Sequence, residues 1–249
     1  MLLRVLCLCC SLMVLLGCGE QEKQNGPKPL IVIISPDNPP FEFKDTAQGG
    51  DKVIGFDVDV IHKVGEHLGR PIKILEADFS GLIPALQAGR ADMAISGFNP
   101  TDERWKSVDF SESYHIDKEA LLLLEDSGST SEKDLQGKKL GVQLGSAHET
   151  IARKWDLTMP GLSIISLNKG GELVQELKSG RLQAVLTEAS VARKVALSTP
   201  GLKVVTLDIP GDASAIAFPK GSPLVGPTNE ALKAIKGDIK QLEDKWFTQ

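Results

Sequence analysis

Short apolar runs alternate with amphipathic stretches along most of this chain. Leu30–Ile34 is continuous and rich in β-branched residues, which predicts a strand buried on both faces. Residues 57–68 place Val60, Ile61, Val64 and Leu68 on one helical face, and Gly69 follows the predicted end. Residues 71–75 read as the next strand. Residues 81–104, GLIPALQAGRADMAISGFNPTDER, predict a helix, a Gly-Arg turn, a short strand and a loop that ends on an arginine. In that helix Leu82, Ile83 and Leu86 share a face. Pro84 falls in the first turn, where a missing N–H costs least. Gly89 is placed to end the helix in a left-handed conformation. Thr101 then caps a new helix, with Asp102 and Glu103 in its first turn.

The same pattern returns in residues 172–187, ELVQELKSGRLQAVLT: Leu-(Ile/Val)-x-x-Leu-x-x-Gly-Arg, then a strand ending on a hydroxyl. One unit used twice predicts two similar α/β lobes, and ligands in open α/β sheets bind at the carboxyl ends of the strands. Between the copies, residues 110–114, 120–124, 139–142 and 163–167 read as strands. Ser146 and Glu149 have the spacing of a capping box, whose free N–H groups would face a bound anion. A helix over 189–197 and strands at 203–207 and 215–218 follow. Leu232, Ile235, Ile239, Leu242 and Trp246 form an apolar stripe, read as one final helix. The alternation argues for an α/β fold rather than an all-α or all-β one.

Bulk numbers narrow the chemistry. A length of 249 residues allows one or two domains. The net charge is −5 with no basic block, which argues against a nucleic-acid partner. Cys7, Cys9, Cys10 and Cys18 are the whole cysteine complement, so the remainder has no thiolate metal site or disulfide. His62, His67, His115 and His148 lack zinc spacing, and no cofactor is expected. Arg4 precedes an apolar run, residues 5–16, that is too short to span a bilayer and reads as an export signal. Its ending, Leu15-Leu16-Gly17-Cys18, resembles the lipobox of bacterial lipoproteins, with Leu16 in place of the usual small residue. That resemblance implies cleavage before Cys18 and a lipid on its thiol. The polar residues 18–28 would then be a tether.

Arg104 carries the most weight. An arginine in the first turn of a helix opposes the helix dipole, and it is tolerable if it turns back to grip a carboxylate in fork geometry. The segments Phe41-Glu42-Phe43, Gly55-Phe56-Asp57-Val58-Asp59-Val60, Asp78-Phe79-Ser80-Gly81, Ser96-Gly97 with Thr101-Asp102-Glu103-Arg104, Asp109-Phe110-Ser111, Ile216 to Ser222 and Lys245-Trp246-Phe247 occur in one order across the chain. In this the chain resembles the polar-amino-acid family of bacterial periplasmic solute-binding proteins, its glutamine-binding members most. The resemblance implies two lobes joined by a two-strand hinge, the type 2 periplasmic binding protein-like fold. Its limits would be a signal peptide at 1–17, a tether at 18–28, lobe one at 29–114 and 210–249, and lobe two at 115–209.

It also implies the ligand contacts. Arg104 would grip an α-carboxylate, helped by the backbone N–H groups of Asn99 and Ala147. Glu188, the carbonyl of Gly97 and the side chain of Asn99 would hold the α-ammonium. Phe79 would pack on the ligand side chain, and Ser35, Asn38 and Gln143 would surround its end. Ser35, Asn38 and Gln143 describe a neutral, hydrogen-bonding pocket that favours glutamine, with arginine or cystine open; Asp37 or Asp78 would have to supply any counter-charge. The function so implied is non-enzymatic: capture of a free L-amino acid by a lipid-anchored monomer in the periplasm or at the cell surface, for an ABC importer permease. The alternatives are an enzyme of the cyclohexadienyl dehydratase kind, with Glu188 as acid/base, and a surface lipoprotein for adhesion or sensing.

Overall fold

The computed structural model describes residues 26–46 and 50–248, so the expected export signal, Cys18 and most of the expected tether lie outside the described residues. The chain opens with β1 (Leu30–Ile34), then a small antiparallel sheet of β2 (Asp37–Asn38), β3 (Glu42–Lys44) and β4 (Val53–Ile54). α1 (Phe56–His67), β5 (Ile72–Glu76), α2 (Leu82–Gln87), β6 (Met93–Ala94) and the single turn α3 (Asp102–Trp105) follow. β7 (Val108–Asp117) leads into β8 (Glu119–Leu124) after one residue, Lys118. Then come β9 (Lys139–Gln143), α4 (Ala147–Asp156), β10 (Ser163–Leu167), α5 (Gly170–Lys178), β11 (Ala184–Glu188), α6 (Ala189–Ser198) and β12 (Leu202–Thr206). β13 (Asp212–Pro219), α7 (Val225–Ala234) and α8 (Lys236–Phe247) close the chain.

Two five-stranded sheets result, with orders β5-β1-β6-β13-β7 and β10-β9-β11-β8-β12. They have the same design. In each, the first three strands are parallel, joined through helices, and the last two are antiparallel. The repeated sequence unit occupies matching places, as α2 with β6 and as α5 with β11. The fold is thus a mixed α/β fold of two similar lobes. Apolar clusters cover both faces of each sheet, which explains the unbroken apolar run of β1. Val191 and Val195 of α6 pack into the cluster under β1 and α1, so the lobes also touch through apolar contacts.

The chain passes between the sheets at Lys118 and again between β12 and β13. The expected limit at 114 falls inside β7, which stays paired with β13 as far as Asp117 opposite Asp212. The single C-terminal helix expected from the apolar stripe is two helices. Ile235, at φ −93° and ψ 14°, bends the chain between α7 and α8 while keeping its bonds to Ala231 and Ile239. Periodicity alone does not see such a bend, because Ile235 and Ile239 remain buried on one side of it. Gly89 has φ +67°, the left-handed end expected of α2, and Thr101 Oγ1 accepts from the Arg104 N–H at 3.3 Å. The Ser146 box is shifted by one residue. Ser146 Oγ accepts from Glu149 N at 3.1 Å, but Glu149 Oε2 takes the N–H of Gly145, at 2.7 Å.

Candidate functional site

The parallel strands β1, β6, β9 and β11 all point their carboxyl ends at the seam between the lobes. Residues just beyond those ends, among them Asp37, Asn38, Gly97, Asn99, Gln143, Ser146 and Glu188, line a cavity of about 160 Å³. That is the size class of the ~150 Å³ cavity that admits a benzene-sized guest. Phe79 and His148 also line it, as do Gly170 and Leu173 of α5. The lobes are closed over the cavity. Asp37 Oδ2 accepts from Gln143 Nε2 at 3.2 Å and from Gly170 N at 2.9 Å, across the seam. Asp78 and Lys169 pair across it as well. Gly170 fits tightly here: a Cβ would come 3.1 Å from the Asp37 carbonyl oxygen, so the closed seam would have to give by a few tenths of an ångström.

Arg104 is 9% exposed although it sits in a one-turn helix. Its guanidinium lies over the packed rings of Phe79 and Phe98, 5.4 and 5.0 Å from centroids that are themselves 4.9 Å apart. Nη1 donates to the Asn99 carbonyl and Nη2 to the Gly145 carbonyl of the other lobe, each at 3.0 Å. A guanidinium has five N–H donors, so donor capacity is left for a ligand. Burial lowers the Arg104 pKa to about 10 against the pull of Asp212 and Glu188, and the side chain stays cationic at neutral pH.

Glu188 occupies the N-cap of α6 but makes no capping bond; its carboxylate faces the cavity, with Oε2 accepting from Thr187 Oγ1 at 3.0 Å. Gly97, at φ +55°, approaches it so closely that an added Cβ would sit 3.8 Å from Glu188 Oε1 and 3.4 Å from Asn38 Nδ2. The β8–β11 register sets Glu119 directly opposite Glu188, a like-charge pair that alone would be unfavourable. His148, in the first turn of α4, resolves it. Its Nε2 lies 2.7 Å from Glu119 Oε2 and 3.9 Å from Glu188 Oε2. The shorter contact is a charge pair rather than a well-directed hydrogen bond. Burial opposes the imidazolium, but Glu188 and Glu119 overcome it and push the His148 pKa up to about 9. Burial raises the Glu188 carboxyl, and His148 pulls it back down. Asp212, at the start of β13, faces the same group of charges and is likewise raised by burial. Three carboxyl groups and two cations therefore meet at the seam. Among the described residues no group of three or more His, Cys, Asp or Glu has the arrangement of a metal site.

Of the residues expected from sequence, Asn38, Phe79, Gly97, Asn99, Gln143 and Glu188 line the cavity together. Ser35, Arg104 and Ala147 lie behind its wall. Ser35 Oγ donates to Asp37 Oδ1 at 2.8 Å, and Ser35 N to Ser96 Oγ, so its hydroxyl is a brace. The expected neutral end of the pocket contains a carboxylate, Asp37, whereas Asp78 is taken up by Lys169. Sequence reasoning passed over His148, Glu119 and Asp212. His148 carried one signal, its place in the first turn after the Ser146 cap.

A family model for bacterial extracellular solute-binding proteins, family 3, matches residues 30–249. The chain belongs to that family. Within it, the arginine-binding extracellular protein ArtP of Bacillus subtilis (strain 168) is 37% identical over 246 residues, covering 96% of this chain and 94% of its own. A solved ancestral arginine-binding protein bound to arginine shares 37% identity at a TM-score of 0.83, over 88% of this chain and 98% of that one. A second, of an ancestral arginine-binding protein bound to glutamine, shares 36% at 0.82, over 89% and 98%. This chain is thus an amino-acid-binding extracellular protein of the ABC-transporter type, and relatives it matches are named as binding proteins rather than enzymes.

Proposed function

We propose that this family 3 protein captures a free polar L-amino acid, arginine first and glutamine second, between its lobes and hands it to an ABC importer permease. The supporting observation is the pairing at the seam. Arg104 from one lobe and Glu188 from the other supply the two charges an α-amino acid needs, close enough to influence one another. On ligand entry Arg104 exchanges the Gly145 carbonyl for the α-carboxylate, with the N–H groups of Asn99 and Ala147 beside it. Glu188, the Gly97 carbonyl and the Asn99 side chain take the α-ammonium. Phe79 packs on the aliphatic stem, and Asp37, braced by Ser35 and flanked by Asn38 and Gln143, faces the cationic end. The two lobes, between which the chain crosses at Lys118 and again between β12 and β13, close by differential contacts with the ligand. A lipid on Cys18 tethers the chain, as a monomer, to the membrane of its importer.

The test is a thermal-shift panel of L-amino acids on refolded protein, followed by calorimetry. A ligand at about a thousand times its Kd adds about 4 kcal/mol, several degrees for a chain of this size. Arg104→Ala should lower affinity at least ~100-fold, since it removes a charged, buried partner. Unchanged affinity in that variant would reject the site. A second reading, an enzyme of the cyclohexadienyl dehydratase kind, draws support from His148 as a proton-bearing group 3.9 Å from Glu188. Release of phenylpyruvate from prephenate by purified protein, lost in Glu188→Gln, is the result it requires.

A further inference from the structure

Behind the Ser96–Gly97 turn, and outside the cavity, lie two fully buried carboxyl groups, Glu42 of β3 and Asp57 of α1. Gly55, at φ +136°, brings them together. A Cβ there would come 2.1 Å from the Phe41 carbonyl oxygen, so only glycine lets α1 start this close to β3. Asp57 Oδ2 accepts from the Gly97 N–H at 2.8 Å, and Asp57 Oδ1 from the Tyr114 hydroxyl at 2.8 Å. Glu42 Oε1 accepts from Ser96 Oγ at 2.7 Å, and Ser96 Oγ in turn accepts from the N–H of Ser35. Glu42 Oε2 is buried and receives no donor from any described residue, and the negative charge of the neighbouring Asp57 bears on the Glu42 carboxyl. Two buried carboxylates side by side, one of them with an oxygen that no donor reaches, repel each other, whereas a proton on one lets it donate to the other. Asp57 already accepts twice, so the proton belongs on Glu42 Oε2. The donors then run one way, from Ser35 N–H through Ser96 and Glu42 to Asp57, the only anion of the group.

We propose that Glu42 is a neutral carboxylic acid at physiological pH, and that its shared proton with Asp57 makes the pair a positioning device that fixes Gly97 for its contact with the ligand ammonium. Three elements meet on that one turn: β3, α1 and the hinge strand β7 through Tyr114. The nearby charges agree. Burial, then Asp57 and Asp37, raise the Glu42 carboxyl, while His115 acts on Asp57 in the opposite sense. The ligand part of this inference rests on the receptor reading above; the proton does not.

The experiment has one ligand-free arm and one binding arm. In infrared difference spectra of the ligand-free protein near pH 7, the wild type should show a protonated-carboxyl stretch that Glu42→Gln lacks. Absence of the band in the wild type overturns the proposal. Glutamine keeps both jobs of the neutral acid, donating to Asp57 and accepting from Ser96. Asparagine at 57 cannot accept from Gly97, Tyr114 and Glu42 together. With L-arginine as the probe, Glu42→Gln should bind within ~3-fold of wild type and Asp57→Asn at least ~10-fold more weakly. A folded Asp57→Asn with wild-type affinity overturns the positioning role. The sign of the pH effect follows from the raised carboxyl: wild-type stability contributed by the pair is greatest near the unfolded pKa and falls as pH rises toward the folded one. The melting temperature of Glu42→Gln should therefore gain on the wild type as pH rises above the ordinary carboxyl value of about 4.3, and a constant difference counts against the proton. If wild type ignores L-arginine yet shows the band, the receptor reading for that ligand fails and the proton stands.

Discussion

Asp37 decides which side chain the pocket prefers. Its carboxylate has three donors when the lobes are shut: Ser35 Oγ from its own lobe, which holds it before a ligand arrives, and Gln143 Nε2 and Gly170 N from the other, which fix it on closure. A guanidinium adds charge to that arrangement, and a glutamine amide adds only a hydrogen bond. Asp37→Asn should lower arginine affinity ~10-fold or more while moving glutamine affinity by less than ~3-fold, as titration calorimetry would read. Equal loss for both would mean that Asp37 acts only as a brace. His148 makes a second prediction. Its folded pKa, about 9, lies above the ordinary value of about 6.5, so its stabilising charge is fully present below about pH 6.5 and is lost as pH rises through about 9. Unfolding midpoints should fall from pH 7 to pH 10 more steeply in the wild type than in His148→Gln, by an amount worth on the order of 2 kcal/mol. Parallel curves would show that Glu119 and Glu188 do not depend on the imidazolium.

At the scale of elements, what could be read from sequence was what depends on neighbours in the chain. The Thr101 cap, the left-handed Gly89 and the strands β1, β5 and β9 follow from local pattern and appear where expected. So does the repeat, because α2–β6 and α5–β11 solve the same packing problem twice. The misses depend on distant partners or on backbone angles that residue type does not fix. β2 is two residues long and exists only by pairing with β3. The Glu149 bond to Gly145 and the bend at Ile235 are set by local backbone angles that residue type does not fix. His148, Glu119 and Asp212 meet only once β8 pairs with β11 and β13 crosses beside them. The N-terminus of α5 offers a test in which two effects have opposite signs. Gly170→Ala improves helix propensity by up to about 1 kcal/mol, so ligand-free stability should hold or rise. The same methyl meets the Asp37 backbone only when the lobes are shut, so affinity should fall. A variant that loses both, in thermal melts and calorimetry, would show that the contact belongs to folding rather than closure.

For the whole molecule, the described bonds across the seam are few and polar: Arg104 to Gly145, Gln143 and Gly170 to Asp37, and Asp78 to Lys169. The one exposed ion pair among them contributes about 0–1 kcal/mol and a hydrogen bond typically a net ~1 kcal/mol, which is too little to hold two lobes shut against their hinge without help. Small-angle scattering should therefore show a larger radius for the ligand-free protein than for the loaded one. The apolar contact of Val191 and Val195 with the first lobe lies near the hinge and can persist through that motion.

The residues at which the chain leaves and rejoins the first sheet, Asp117 and Asp212, are register partners on adjacent antiparallel strands. The second lobe is therefore a cassette spliced into what would otherwise be an ordinary hairpin. A tight turn joining Asp117 to Asp212 would excise residues 118–211 without cutting any strand of the first sheet. The same doorway would accept a foreign lobe whose two ends emerge side by side. In a chain laid out this way, one half of the binding cleft can be exchanged or lost in a single genetic event while the other half keeps its sheet, its paired carboxyls and its arginine.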